Sequence, residues 1–427
     1  MSKPIVGFAG MTHLGINSAA ATAAQGFPVF GYDADLALIA GLRARRMPIA
    51  EPGLDDLVAA HAERLSFTDK IADLKQCDVV YIAADVPTDD EAKSDLGPIR
   101  ALIDGVAKML REDAVLVVLC QVPPGFCRAL TQIPYARVIY QVETLIFGRA
   151  VERAMRPERF IVGVDDPSRP LPAAYRQVLE SFGCPILPMR YESAELAKIS
   201  INFCLVASVT VANVLAEISE AVGADWAEIV PALKLDKRIG PKAYLKPGLG
   251  LSGGNLERDL RTILDIGEGR GTDVGLVRAW FGNSAHRKDW TWRTLQKILS
   301  DNSRARIAVL GLAYKENTNS TKNSPALQLL SHLKNRQVRV HDPVVPNSVA
   351  PFTEAASSAL TCAKGADVLV IATPWPEYRE LTPSALASAM AGRVIIDPYR
   401  MLDGRAAAAA GFTYHTLGMP ALRPDPC

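Results

Sequence analysis

The stretch from Ile5 to Asp33 restricts the possible folds more than any other. Ile5-Val6-Gly7-Phe8-Ala9 is an apolar run of strand length. Gly10-Met11-Thr12-His13-Leu14-Gly15 follows, then an alanine-rich helical segment to about Gln25, then a second strand, Val29–Tyr32, that ends at Asp33. Strand, glycine turn, helix, strand, acid is the layout a dinucleotide fold needs. The turn brings backbone amides to the pyrophosphate at a helix N-terminus, and the acid accepts hydrogen bonds from the adenosine ribose. Gly10 and Gly15 stand at the ends of that turn. Thr12 stands where a second glycine is usual, so its Cβ is expected to shift or weaken the cofactor. Asp33 favours NAD over NADP, because a 2′-phosphate would be repelled. A purely structural turn is the alternative reading.

The alternation continues. Val79–Ala83 runs into Asp85-Val86-Pro87-Thr88, and Ala114–Leu119 into Cys120-Gln121-Val122-Pro123-Pro124-Gly125. Val138–Tyr140 runs into Gln141-Val142-Glu143, and Phe160–Gly163 is one more strand. Ligands in such sheets bind beyond the carboxyl ends of the strands, which places Glu143 near the cofactor edge. Its bland alternative is a solvated turn acid. A second series begins at Ile307–Gly311 and passes through Val338–Val340, Val368–Ala372 and Val394–Ile396, the last ending at Asp397. It lacks a glycine turn of the dinucleotide kind. Tyr314-Lys315 and Thr318–Lys322 there suit phosphates, and a solvated loop is an equal reading.

Between the two series a helical pattern runs from Glu192 to about Val222, followed by a glycine-rich loop, Pro247–Asn255. Lys198 and Asn202 are four residues apart and share one helical face. Their neighbours Leu196, Ile199, Ile201, Phe203, Leu205 and Val206 are apolar, so the lysine and the amide need partners, an unpaired buried polar group costing about 1–3 kcal/mol. A snorkelling lysine and a satisfied core asparagine are the alternative. The expected fold is α/β: two Rossmann-like doubly wound domains joined by a long central helix. The expected parts are 1–190, 191–300 and 301–427.

A chain of 427 residues is too long for one ordinary core. A net charge of +1 from well-mixed charges gives no basic stripe and no nucleic-acid partner. No uninterrupted run of eighteen apolar residues predicts a membrane span. The N-terminus lacks the pattern of a signal peptide, so a cytoplasmic protein is expected. Seven cysteines without a CxxC pair fit reduced thiols and no metal site. Cys120 and Cys204 are expected as core filler. The tail, Ala406–Ala410 and residues 423–426, gives no signal.

Several segments in order resemble one family. Met47-Pro48-Ile49-Ala50-Glu51-Pro52-Gly53-Leu54, Glu192–Asn202, Arg238-Ile239-Gly240-Pro241-Lys242, Gly311-Leu312-Ala313-Tyr314-Lys315, Ser324–Leu327 and Val340–Pro343 resemble signatures of the UDP-glucose/GDP-mannose dehydrogenases, across nearly the whole chain. Such enzymes oxidise the C6 alcohol of a nucleotide-linked hexose to an acid with two NAD. The resemblance implies that Lys198 and Asn202 stabilise an oxyanion at C6. It makes Glu143 the carboxylate of a Pro-Glu-Phe turn and Asp259 the acid that closes the glycine-rich loop. Arg238 would reach the substrate across a dimer, and Tyr244, Gly250 and Lys315 would line the sugar and phosphates. Lys322 stands where an arginine contacts NAD. With Gly10, Thr12, Gly15, Asp33, Thr88 and Gln121 it completes the candidate cofactor set.

The departures from the family pattern bear on the chemistry. Gly250–Asp259 places Asn255 where the family has its cysteine nucleophile, whose thiolate forms a thiohemiacetal and then a thioester. Gln121 replaces a threonine that positions the hydrolytic water. Phe147 and Ile146 replace an acid and an arginine. The expectation is therefore an NAD-dependent nucleotide-sugar dehydrogenase of polysaccharide biosynthesis, acting on a UDP-sugar by a single two-electron oxidation, as a homodimer through the central helix. The alternatives are a full four-electron 6-dehydrogenase working without a covalent intermediate, and a nucleotide-sugar-binding pseudoenzyme.

Overall fold

The computed structural model describes residues 3–89, 93–300, 302 and 304–424. Cys427 and part of the tail lie outside these. The chain divides into two compact units, 1–201 and 202–427. Of the part expected over 191–300, residues 202–300 group with the C-terminal sheet and the rest with the first unit.

The first unit is built on an eight-stranded sheet: β1 (Val6–Ala9), β2 (Val29–Tyr32), β3 (Leu65–Thr68), β4 (Val79–Ile82), β5 (Val115–Val118), β6 (Val138–Gln141), β7 (Phe160–Val164) and β8 (Ile186–Arg190). Their spatial order is β3-β2-β1-β4-β5-β6-β7-β8. β1 to β6 are parallel, and β7 turns antiparallel to β6 with Tyr140 opposite Gly163. The central parallel strands β1, β4 and β5 are short and buried on both faces, as strands covered by helices must be. Their order is that of a doubly wound dinucleotide fold, with the switch point between β1 and β4.

The second unit repeats that winding. β9 (Arg306–Leu310), β10 (Gln337–His341), β11 (Glu354–Ala355), β12 (Val368–Ile371), β13 (Val394–Ile396) and β14 (Thr413–His415) form one parallel sheet in the order β11-β10-β9-β12-β13-β14. Trp290, Leu295 and Leu299 from the preceding helix join its core.

A 32-residue helix, Tyr191–Val222, carries the chain from one unit into the other, and the division falls inside it. It is about 48 Å long at 1.5 Å per residue. Three sequence expectations change here. Among the described residues this helix is long and apolar enough, by length and composition, to cross a membrane, with mean hydropathy 1.9 over its most apolar window. Scattered Ser, Thr and Asn break every uninterrupted apolar run yet leave the average high. Its flank is also less enclosed than the apolar letters imply. Ile199 and Val206 are buried, but Leu196 is exposed. Cys204 is likewise exposed and fills no core, whereas Cys120 is buried as expected.

Candidate active site

In the first unit, Gly10 adopts φ +98°, and a Cβ there would lie 2.6 Å from the Ala84 backbone nitrogen. A Cβ at Gly15 would meet Gly10 O at 1.8 Å. Both glycines are therefore required by close backbone approach, and the helix His13–Ala24 starts between them. The Thr12 hydroxyl bridges the end of β4, donating to Ala83 O at 3.3 Å and accepting from Asp85 N at 3.0 Å. The side chain that breaks the glycine pattern thus fastens the turn to the sheet. Asp33 accepts from Met11 N at 2.8 Å and from Asp35 N at 3.0 Å. A carboxylate offers about four lone-pair positions, so it keeps capacity for ribose hydroxyls. The residues fit a dinucleotide: an uncrowded turn, a helix N-terminus and an acid at the end of β2. Thr88 lies half-buried on the loop after β4, bridged to Ser94.

Sequence reasoning gave Glu51 no role. It is buried and accepts from Gly148 N at 3.0 Å, Ala150 N at 2.8 Å and the His13 ring at 2.9 Å. His13 stacks on Phe147, ring centres 3.9 Å apart. Phe147, read as the loss of an acid, packs against the first turn of the cofactor helix. Glu195 was also missed. It is buried on the central helix and accepts from Gly125 N at 2.6 Å and Cys127 N at 2.8 Å. This pins the loop that follows the buried Gln121. Burial pushes the Glu195 carboxyl above its ordinary value, against the pull of those two amides. An acid inside an apolar helical run, three residues from Lys198, was the signal available.

Lys198 does not snorkel. Its Nζ lies 2.8 Å from Glu143 Oε1, with the two side chains only 10% and 14% exposed. Glu143, at the exit of β6, is thus no solvated turn acid.

In the second unit, Asn202 donates to Asp259, and both are buried. The glycine-rich loop ends one residue earlier than the sequence implied. Asn255 is the exposed first residue of the helix Asn255–Arg270, and Asp259 sits one turn further in. Asp259 therefore closes no loop; the helix carries it to Asn202. Gly250, at φ +78°, leaves no room for a Cβ, which would lie 2.5 Å from Ser284 O. Gly253 N donates to Lys322 O at 3.0 Å, and Asn323 donates to Gly253 O at 2.8 Å. Glu257 holds both Lys288, at 2.9 Å, and Asn323. The glycine-rich loop and the 314–323 loop are thereby tied together, and Lys315 lies over the Tyr314 ring beside them. Arg238 and Tyr244 are not gathered in. Arg238 is 88% exposed and paired with Asp236 at 2.6 Å, and Tyr244 is exposed.

The second sheet has its own glycine turn, which the sequence reading denied it. Gly311 adopts φ +99°, and Leu312 N donates to Asp342 at 2.6 Å, as Met11 N does to Asp33. Asp342 also accepts from Ala313 N, Val344 N, Val345 N and the Trp375 indole. With five donors on one carboxylate, nothing remains for a ribose. The second turn is built like the first but spent on structure.

A turn that fits a dinucleotide, a nearly buried lysine–carboxylate pair and a second sheet of the same winding define a dinucleotide-dependent oxidoreductase. Comparison with known proteins gives the particular lineage. The chain matches the UDP-glucose/GDP-mannose dehydrogenase family in its NAD binding domain (residues 5–182), central domain (192–282) and UDP binding domain (308–404). A UDP-glucose 6-dehydrogenase from Rhizobium meliloti is 30% identical over 96% of this chain and 98% of its own. The UDP-glucose 6-dehydrogenase TuaD from Bacillus subtilis is 29% identical over 97% and 93%. The structure of a UDP-glucose dehydrogenase from Pyrobaculum islandicum superposes with TM-score 0.83 at 25% identity, covering 95% of this chain and 98% of that one. The chain belongs to the UDP-glucose/GDP-mannose dehydrogenase family. It is an NAD-dependent oxidoreductase acting on a CH–OH group of a nucleotide sugar.

Proposed function

We propose that this enzyme oxidises one hydroxyl of the hexose of a UDP-sugar in a single two-electron step and releases the carbonyl compound. The observation that carries the proposal is Asn255, the exposed residue that opens the helix after the glycine-rich loop. A carboxamide cannot add to an aldehyde as a thiolate does. Three buried thiols make poor nucleophiles. Burial pushes the Cys77 and Cys362 thiols up to about 12 and the Cys127 thiol upward as well. Cys204 follows Asn202 by two residues on a helix, which turns it to the opposite face.

NAD, held by the turn at Gly10 and by Asp33, would supply the acceptor for the hydride that leaves the carbinol carbon. The hydroxyl proton must leave at the same time, so negative charge develops on the oxygen. The Lys198 ammonium is placed to stabilise that charge, and its low exposure strengthens the interaction over the same pair in water. Glu143, already on Lys198, is the acceptor to which a water or the lysine passes the proton, with Asp259 on Asn202 as the alternative. One alcohol gives one carbonyl, one NADH and one proton. Product stoichiometry tests this: one NADH per sugar, with a carbonyl trapped by hydroxylamine, is expected. Two NADH and a uronic acid would refute it.

A second reading is favoured by the relatives, which carry the name UDP-glucose 6-dehydrogenase over nearly the full length. In it the aldehyde hydrate gives up a second hydride and the acid forms without a covalent intermediate.

The proposal extends to a cytoplasmic homodimer, working where NAD and nucleotide sugars are supplied. On the central helix Val211, Val214, Leu215, Ile218 and Val222 are exposed at helical spacing. A second copy laying the same stripe against this one would bury it, and would give the exposed Arg238 a neighbouring site to reach.

A further inference from the structure

The edge of the second sheet opposite Asp342, where β9 and β10 begin, holds a charged hollow. It encloses about 330 Å³ and is lined by Arg306, Arg336, Arg339, Lys364, Glu354 and Phe352, among others. Pockets for small ligands begin near this size, about 300–1,000 Å³. Four cations face one carboxylate there, although the chain as a whole carries 47 basic and 46 acidic residues.

The four cations are not equivalent. Arg339 is committed: it donates to Thr361 O at 3.3 Å and Lys364 O at 2.9 Å, and pairs with Glu354 at 3.1 Å. It forms a fixed wall. Arg336 donates to Asn302 O at 2.6 Å, which positions its guanidinium without neutralising it. Arg306 and Lys364 make no side-chain hydrogen bond or ion pair among the described residues. Asp367 accepts from the Arg306 backbone amide at 2.8 Å and does not line the hollow. Three positive charges without carboxylate partners line one concave space, where their mutual repulsion favours any anion that enters. Arginine forks match phosphate oxygens in pairs, and lysine adds a point charge.

We propose that this hollow binds a small anion carrying linked phosphates, a diphosphate or triphosphate. It lies at the amino ends of the strands, whereas the family's ligands belong to the carboxyl ends, so it is a separate site and does not rest on the reading of the reaction. The partly exposed Phe352 offers a flat apolar face beside the cations, which suits a nucleoside diphosphate; inorganic pyrophosphate shares the charged part.

The test is calorimetric titration of the full chain, presaturated with NADH, with inorganic pyrophosphate and separately with ADP. Wild type is expected to show a binding event that the Arg306→Gln/Arg336→Gln double variant loses or weakens at least tenfold. A single Lys364→Glu variant, at an exposed position, should weaken it while leaving the melting temperature unchanged. NADH affinity and the rate without added anion should be the same in all three proteins. ADP binding tenfold more tightly than pyrophosphate assigns a nucleotide, and equal affinities assign an inorganic polyphosphate. No binding in wild type, or the same affinity and stoichiometry in both variants, overturns the proposal.

Discussion

Lys198 and Glu143 form an ion pair at 2.8 Å that joins the central helix to the exit of β6, with both side chains nearly withdrawn from water. A charge pair held this way adds little net stability to the fold, since desolvation offsets much of its attraction. Lys198→Met is expected to lower kcat by about 10²–10³-fold, the usual effect of removing one oxyanion donor. It should also destabilise the protein by roughly 2–4 kcal/mol, somewhat below the 3–5 of a fully buried pair, because Glu143 is left unpaired. Adding Glu143→Gln should restore much of the stability and none of the activity. Denaturant unfolding and initial rates on both variants check this.

Asn255 gives a chemical test. Wild-type activity should survive iodoacetamide, although the exposed Cys204 will be alkylated. Asn255→Cys puts a thiol at a helix N-terminus, where the thiolate is favoured. That variant should become sensitive to iodoacetamide and yield more than one NADH per sugar.

Gly10 and Gly311 allow a paired experiment. Both hold φ near +98°, and a Cβ at Gly311 would lie 2.3 Å from the Thr373 Cβ. Alanine at either should destabilise by at least about 1–3 kcal/mol. Gly10→Ala should also weaken NADH binding more than tenfold, whereas Gly311→Ala should leave it unchanged. Fluorescence titration with NADH distinguishes the two.

Glu195 gives a pH dependence. Its folded value is raised by burial, so the folded state binds the proton more readily than the unfolded one. The stability this group contributes is fully present below the ordinary glutamate value of 4.5 and is lost as pH rises through the raised one. Glu195→Gln presents its amide to one of the two backbone donors and should cost about 1–3 kcal/mol at neutral pH. Wild type should lead the variant by more at pH 5 than at pH 7.5, as read by urea midpoints.

The exposed stripe on the central helix predicts assembly. Ile218→Glu should shift wild-type dimers to monomers in sedimentation velocity, with the secondary structure intact. A wild-type chain that sediments as a monomer at micromolar concentration would refute the dimer.

Much of this was legible in the sequence because it depends on local rules. Parallel buried strands read as β-branched runs, and the turn at Gly10 reads from its glycines. The central helix was also placed by its pattern. What misled was equally local. The loop ahead of Asn255 and Asp259 looked continuous because glycine and serine persist up to Gly254, and only backbone geometry shows the helix starting there. Cys204 sat among apolar letters, but an apolar run does not say which face of a helix is covered.

Sequence alone determined the two Rossmann windings, the acid at Asp33 and the placement of Lys198 and Asn202 on one helical face, since each follows from spacing or steric demand. Tertiary structure alone decided the partners: Glu143 for Lys198, Asp259 for Asn202, Glu51 for His13, Glu195 for the loop after Gln121. It also decided that Asp342 is consumed by five donors while Asp33 keeps lone pairs free. The physical reason is that hydrogen bonds and ion pairs join residues far apart in the chain, and which donor meets which carboxylate is fixed only when the sheets and helices pack.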